Sequence, residues 1–518
     1  MKRSLDRKTT KKQALPVNEY AGFVVEGPAI ETVRLKQGFF EKFVEKRTPV
    51  KIISPELVPV DISAFRSDRI LETLAEAKIK KLQVERKHGL GFGLGKKREE
   101  LAFSEIVGKL ASGDESYYLT TQYESHEYEE GDGDGDGEEI LSLEDGEEVE
   151  NSVNEGIDED DEDDDDEDDE DDEAGDEAGD GIPAASLDSD NESINFENLH
   201  DDFDDLENAQ DDFVVPEHKL TQDEVDFRIS TLLQAPLTEL YKKNDFPLVP
   251  DIFGPLIPQQ INLWMGACKN GEKAKPELKN ITKESLGRYV PKGNSSGLHH
   301  DHADNLYVLV QGRKRFTLYS PRDAEKLKTV GEIRRIFPNG LIDYKVNEKA
   351  RFWRPMREDG AMLGEWARWM IEKGDFLKIS KEELEEIIEN DEPFAENGES
   401  DLDPPSFSTV PPLLAHLDEV SEEDRKKLEI YAEANFPGFL DLHKLEVWLE
   451  PGEMLYLPTG WFHEVTSLAE GSGGAHVALN WWFVPPTGEK ENPYPDNYWK
   501  EDYDKTLAAI AYQRAGPA

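Results

Sequence analysis

SSGLHHDHADNLYVLVQGRKRFTLYSP, residues 295–321, is the stretch on which the reading of this chain turns. Leu306 to Val310 and Phe316 to Tyr319 are apolar, aromatic and β-branched and read as strands, with Gln311-Gly312-Arg313 between them as a hairpin turn. Just ahead, His299 and Asp301 stand two apart, so on an extended backbone both side chains leave the same face and can converge on one ion. A third donor must come from elsewhere in the chain. PGEMLYLPTGWFHEV, residues 451–465, offers His463 directly after a Pro-containing turn and an apolar strand. Two imidazoles and one carboxylate make a facial set that leaves positions open on a non-haem Fe(II). Taken singly, His299, His300 and His302 read equally as a solvated cluster, and His463 as a hydrogen-bonded interior residue. His302 falls on the face opposite Asp301.

Working outward, the charge is distributed as a tract. The chain has 518 residues with 114 acidic and 59 basic side chains, a formal net charge of −55. Residues 124–212 hold 45 Asp and Glu and no Lys or Arg, leaving 69 acids against 59 bases elsewhere, an ordinary balance for a globular protein. With so few apolar groups, this tract cannot offset its ordering entropy and is expected to be disordered. The single cysteine, Cys268, excludes an intramolecular disulfide framework and zinc modules built from Cys pairs. The opening MKRSLDRKTTKKQ has no apolar segment behind it, and no apolar run reaches the length of a membrane span. A nuclear or cytoplasmic protein is therefore expected. The basic cluster there reads as a solvated tail, a nuclear address or a nucleic-acid contact. GLGFGLGKK, residues 89–97, lacks the spacing and the Ser or Thr of a phosphate loop and reads as a surface turn.

The segments GLHHDHADNLYVLVQGRKRFTLYSP, PGEMLYLPTGWFHEV and VALNWWFVP, with looser likeness in GDESYYLTTQY and INLWMG, resemble the JmjC oxygenases, in particular their cupin-like protein-hydroxylase branch. The likeness runs from about Phe39 to Pro485, apart from inserts. It implies a mainly β fold with added helices: a double-stranded β-helix of the jelly-roll, cupin or JmjC type, interrupted by a long disordered acidic insert. The expected layout is a basic tail at 1–19, catalytic-domain pieces at 20–123 and 213–512 flanking the acidic insert at 124–212, a helical insert at about 330–414, and a tail at 513–518.

The resemblance implies Fe(II) ligands His299, Asp301 and His463, with 2-oxoglutarate and O2 as cosubstrates. It places Lys314 against the distal carboxylate of 2-oxoglutarate, where a buried ammonium would find its counter-charge. It also implies that the hydroxyls of Ser296 and Tyr118 assist that carboxylate, and that the amides of Asn305 and Asn480 lie near its metal-bound end. Two departures stand out: His463 follows His299 by 164 residues because of the insert at 330–414, and extra residues intervene between Ala267 and Ser295. Both could cover the mouth of the site.

The activity so implied is hydroxylation of a protein side chain, with the acidic insert serving a basic substrate or partner. Lysine demethylation uses the same chemistry, but demethylases of this family more often carry Glu at the place of Asp301, together with Cys-rich modules that one cysteine cannot build. RNA modification is disfavoured because, away from its tail, the chain shows no broad basic surface. A non-catalytic acidic module that binds histones or other basic proteins is the alternative outside enzymology.

Overall fold

The computed structural model describes residues 19–25, 27, 29–34, 37–87, 98–122, 221–269, 275–374, 376–394, 402–468 and 474–515. The basic tail up to residue 18, the GLGFGLGKK stretch and the acidic residues 124–212 lie outside these.

Fifteen strands follow in chain order: β1 (Glu31–Val33), β2 (Val50–Ile52), β3 (Lys81–Arg86), β4 (Glu99–Ala102), β5 (Tyr117–Leu119), β6 (Pro258–Ala267), β7 (Asn294–Ser295), β8 (Asp304–Gln311), β9 (Arg313–Tyr319), β10 (Ile333–Ile336), β11 (Ile342–Tyr344), β12 (Leu445–Leu449), β13 (Met454–Leu457), β14 (Phe462–Leu468) and β15 (Ala475–Phe483). Among the described residues they form a nine-stranded sheet in the order β1-β2-β13-β8-β15-β6-β5-β3-β4, a four-stranded sheet β12-β9-β14-β7, and the ribbon β10-β11. The fold is mainly β with helices added. Strands from both sides of the acidic stretch share one sheet, with Tyr118 of β5 opposite Gly266 of β6.

Side-chain alternation sorts each strand between two layers. On β8, Leu306, Val308 and Val310 pack outward with Phe39, Phe40 and Phe43, whereas Tyr307 and Leu309 turn inward against Phe316 and Leu318 of β9. Each such burial is worth about 1.5–3 kcal/mol, which fixes the register of every strand whose two faces differ. FFEKFVEKRTPVKII forms a π-helical turn, Phe40–Val44, and then β2.

The expected hairpin between Leu306–Val310 and Phe316–Tyr319 is not formed. β8 pairs with β13 and β15, while β9 pairs with β12 and β14. Gly312, at φ +86°, is the corner at which the chain leaves one sheet for the other, and an ideal Cβ there would come within 2.7 Å of the His476 Cβ. Both the left-handed backbone and the close approach require glycine.

The segment at 330–414 contains β10, β11 and two helices, Leu363–Lys373 and Lys381–Glu389. Its Ile336, Leu341, Tyr344 and Trp353 form a core with Tyr319 and Phe462, on the outer face of the four-stranded sheet. No helix among the described residues is long and apolar enough to cross a membrane.

Candidate metal centre and its pocket

Two backbone hydrogen bonds decide which side chains meet. His299 N donates to His463 O (3.0 Å) and His463 N to His299 O (2.7 Å), an antiparallel bridge that sets the two imidazoles side by side with ring centroids 4.3 Å apart. Asp301 is held by its carbonyl, which accepts from Gly460 N at 3.0 Å and Thr459 Oγ1 at 3.1 Å. Gly460 has φ +74° and lies so close to Gly340 that a Cβ would collide with the Gly340 carbonyl. One donor atom from each of His299, Asp301 and His463 lies within 4.8 Å of the others, the only such group among the described residues.

The tautomers follow from the partners. His299 Nδ1 lies 3.1 Å from Gly297 O and His463 Nδ1 lies 3.0 Å from Trp461 O. A carbonyl can only accept, so each Nδ1 carries the proton and each Nε2 presents a lone pair. Burial, with His463 close by, holds the His299 pKa well below the ordinary histidine range, which keeps that ring neutral. The donor set suits Fe(II): two imidazoles and one carboxylate. The 330–414 segment completes the wall. Phe407 stacks on His299 (4.9 Å, 12° between planes), and the Arg288 guanidinium lies over the Phe407 ring at 4.6 Å. Arg288 is tied to Asp403 (2.8 Å) and to Ser296 O (2.7 Å).

A polar line runs from Asp301 into the space between the sheets. Asn305 Nδ2 donates to Asp301 Oδ2 (3.1 Å), Asn480 Nδ2 to Asn305 Oδ1 (3.2 Å), and Trp264 Nε1 to Asn480 Oδ1 (2.8 Å). Both asparagines thus orient the carboxylate, and each retains one amide hydrogen. Beyond Trp264 lie the Tyr118 ring, at 6.3 Å, and then Lys314, whose Nζ is 5.7 Å from the Tyr118 centroid and 6.0 Å from that of Tyr307. Lys314 is 1% exposed with no hydrogen-bonding or ion-pair partner among the described residues, and burial pulls its pKa down to about 7. Burial likewise raises the phenols of Tyr118 and Tyr307 and lowers His476. A buried ammonium without an ion-pair partner is a receptor for a carboxylate.

Ser296 departs from its expected role. Its hydroxyl donates to Gly297 O (2.9 Å) and accepts from Val465 N (3.1 Å). A hydroxyl has one hydrogen, so none remains for a carboxylate, and the residue serves to tie the His299 loop to β14. Tyr307 was not among the residues singled out from the sequence, although its buried hydroxyl faces the same pocket without a partner. Extending the i, i+2 parity from Asn305 would have found it. His300 and His302 turn away from the metal site: His300 Nε2 meets Tyr344 Oη at 2.5 Å, and His302 packs on Trp353 at 5.0 Å.

Two buried ionic groups brace the site from outside. The Asp304 carboxylate accepts from the Arg47 guanidinium, from Tyr456 Oη (2.6 Å) and from Thr459 N (3.0 Å), and so joins the segment before β2 to the turn that carries His463. Behind β14, Glu464 is fully buried. Burial pushes its carboxyl up, but the His416 hydrogen bond (3.1 Å) and the nearby Arg315 charge outweigh this and hold its pKa below the ordinary value.

Residues 97–489 match the family model described as a cupin-like domain. The chain is also 31% identical, over 54% of its own length and 66% of the relative's, to the JmjC domain-containing protein 4 of Schizosaccharomyces pombe. It is 25% identical to the lysine-specific demethylase JMJ32 of Arabidopsis thaliana, over 44% of this chain and 42% of that one. With the human bifunctional peptidase and (3S)-lysyl hydroxylase JMJD7 the identity is 24%, over 36% and 37%. The chain thus spans just under two thirds of the first of these relatives and well under half of the other two.

Proposed function

The chain belongs to the cupin-like JmjC family of 2-oxoglutarate oxygenases, and from that premise we propose that it is an Fe(II)- and 2-oxoglutarate-dependent oxygenase that hydroxylates a side chain of a protein. The observation that carries the proposal is the pairing of the His299, Asp301 and His463 donors with the Lys314 ammonium, which lies past the Tyr118 ring at the far end of the amide line from Asp301 to Trp264. When bound, iron and cosubstrate supply the oxidation, in which 2-oxoglutarate and O2 become succinate and CO2 while a substrate C–H bond gains one oxygen.

The chain supplies position and environment. His299 and His463 turn Nε2 toward the metal position because each Nδ1 donates to a backbone carbonyl. Asn305 fixes which carboxylate oxygen of Asp301 is turned aside. Lys314 meets the distal carboxylate of the cosubstrate, and Tyr307 adds a hydroxyl that Ser296 does not. Phe407 shields His299 from water.

The relatives' names divide between a lysyl hydroxylase and a demethylase, so the type of product is the test. Purified protein with Fe(II), ascorbate and 2-oxoglutarate is expected to form succinate slowly without any partner. With core histones and ribosomal proteins added, mass spectrometry should find peptides heavier by one oxygen. Loss of methyl groups would convert the reading to demethylation, and absence of succinate would overturn the enzyme. We further propose that the acidic stretch at 124–212 recruits the basic partner through its long-range field.

A further inference from the structure

Asn262 lies on β6 and is 1% exposed, yet among the described residues neither its amide nitrogen nor its amide oxygen has a hydrogen-bond partner. Because both atoms are unpartnered, exchanging them changes nothing. Buried polar groups are ordinarily satisfied, and one left open is a cost that a folded chain tolerates where a ligand meets it.

The strand decides where this amide points. Ile261, Leu263 and Met265 pack into the outer core, so Gln260, Asn262, Trp264 and Gly266 share the face turned toward the metal site. Asn262 is directly opposite Asn480 in the ladder, as Gln260 is opposite Trp482. Asn480 does not bond to it and is turned instead to Trp264 Nε1 through its oxygen and to Asn305 through its nitrogen. The Trp264 and Trp482 rings stand 6.1 Å apart beside it, and the buried indole N–H of Trp482 also has no partner. Asn262 is thus one strand away from the amide line that orients Asp301.

The chemistry of the missing partner follows from donors and acceptors. Asn262 Nδ2 and Trp482 Nε1 need acceptors, and 2-oxoglutarate could serve either. Asn262 Oδ1 needs a donor, and the dianion of 2-oxoglutarate has none. A group carrying both C=O and N–H satisfies the whole set, and in a protein the abundant group of that kind is the peptide unit. We infer that Asn262, with Trp482, binds a peptide amide of the substrate beside the metal site and selects polypeptide over substrates without an N–H next to a carbonyl. This rests on the oxygenase reading and adds the residues by which the site would recognise the substrate's backbone.

The test uses the full chain loaded with Mn(II) and 2-oxoglutarate, and as probe N-acetylalanine N-methylamide, a capped residue with two peptide units. Binding near the metal is read from the paramagnetic relaxation of the probe's acetyl protons. The wild type should relax this probe, and the analogue with both amide N–H groups methylated should bind at least tenfold more weakly. Asn262→Leu should lose the probe to the same degree, hold 2-oxoglutarate within twofold of the wild type, and melt at a higher temperature, because an orphaned amide has been replaced by an apolar group of similar size. Equal binding of the two probes, no relaxation of either, or a tenfold weaker hold on 2-oxoglutarate in Asn262→Leu would each overturn the inference. A lower melting temperature with unchanged probe binding would make Asn262 structural and overturn it as well. Failure of the wild type to bind Mn(II) and 2-oxoglutarate would instead remove the oxygenase reading, and this inference with it.

Discussion

The affinity of this protein for 2-oxoglutarate should fall steeply as the pH rises above neutrality, and the slope comes from Lys314. Burial lowers the ammonium to a pKa of about 7 in the chain without cosubstrate. A dianion contacting it favours the charged form, so the bound complex keeps its proton well into the alkaline range. Above pH 7 the free protein must therefore take up a proton in order to bind. The apparent dissociation constant then scales inversely with the protonated fraction, rising about fivefold from pH 7 to 8 and about fiftyfold from pH 7 to 9. Of the groups around it, burial keeps Tyr118 and Tyr307 neutral by raising them and His476 neutral by lowering it; Cys268 and Glu464 both raise Lys314, and the Glu464 charge is constant over this range because its own pKa lies below the ordinary value. Calorimetric titration of Mn(II)-loaded protein with 2-oxoglutarate, in buffers of different ionisation enthalpy, measures both quantities, and uptake of about 0.9 proton is expected at pH 8. Lys314→Met should bind at least tenfold more weakly at pH 7, since a charge-assisted contact is worth about 1.5–3 kcal/mol, and its profile should be flat. A flat profile in the wild type, or the same slope in Lys314→Met, would refute the reasoning.

His463→Ala should abolish Fe(II) binding and succinate formation while circular dichroism remains that of the wild type, since two ligands hold the ion poorly. Phe407→Ala removes the ring stacked on His299 and should weaken Mn(II) binding about tenfold, measured by metal titration, as loss of a ligand's outer contacts commonly does. Arg47→Met leaves the Asp304 carboxylate buried without its counter-charge and should cost about 3–5 kcal/mol in urea unfolding, part of it recovered when Asp304→Asn is added. Deleting residues 124–212 behind a short flexible linker should preserve succinate formation and weaken binding to histones, with most of the salt dependence lost; unchanged histone binding would end the recruitment idea.

Much of the site can be read locally. The spacing of His299 and Asp301 sets their common face because successive side chains on extended backbone alternate, a property of one strand alone. The apolar pattern of residues 306–310 and 316–319 likewise specifies strands, as β8 and β9 bear out. Alternation does not say which strand is the neighbour. The turn at Gly312 therefore read as a hairpin, whereas the chain changes sheets there, and only burial of both faces of β8 and β9 against distant segments decides between the two. The same limit hid Phe407, the orphaned amide of Asn262 and the bond of the Ser296 hydroxyl to Gly297 O. The bridge that seats His463 beside His299 spans 164 residues. Residue type and spacing are encoded along the chain, but proximity across such a distance, and the direction in which a polar side chain spends its hydrogens, exist only once the sheets have closed on each other.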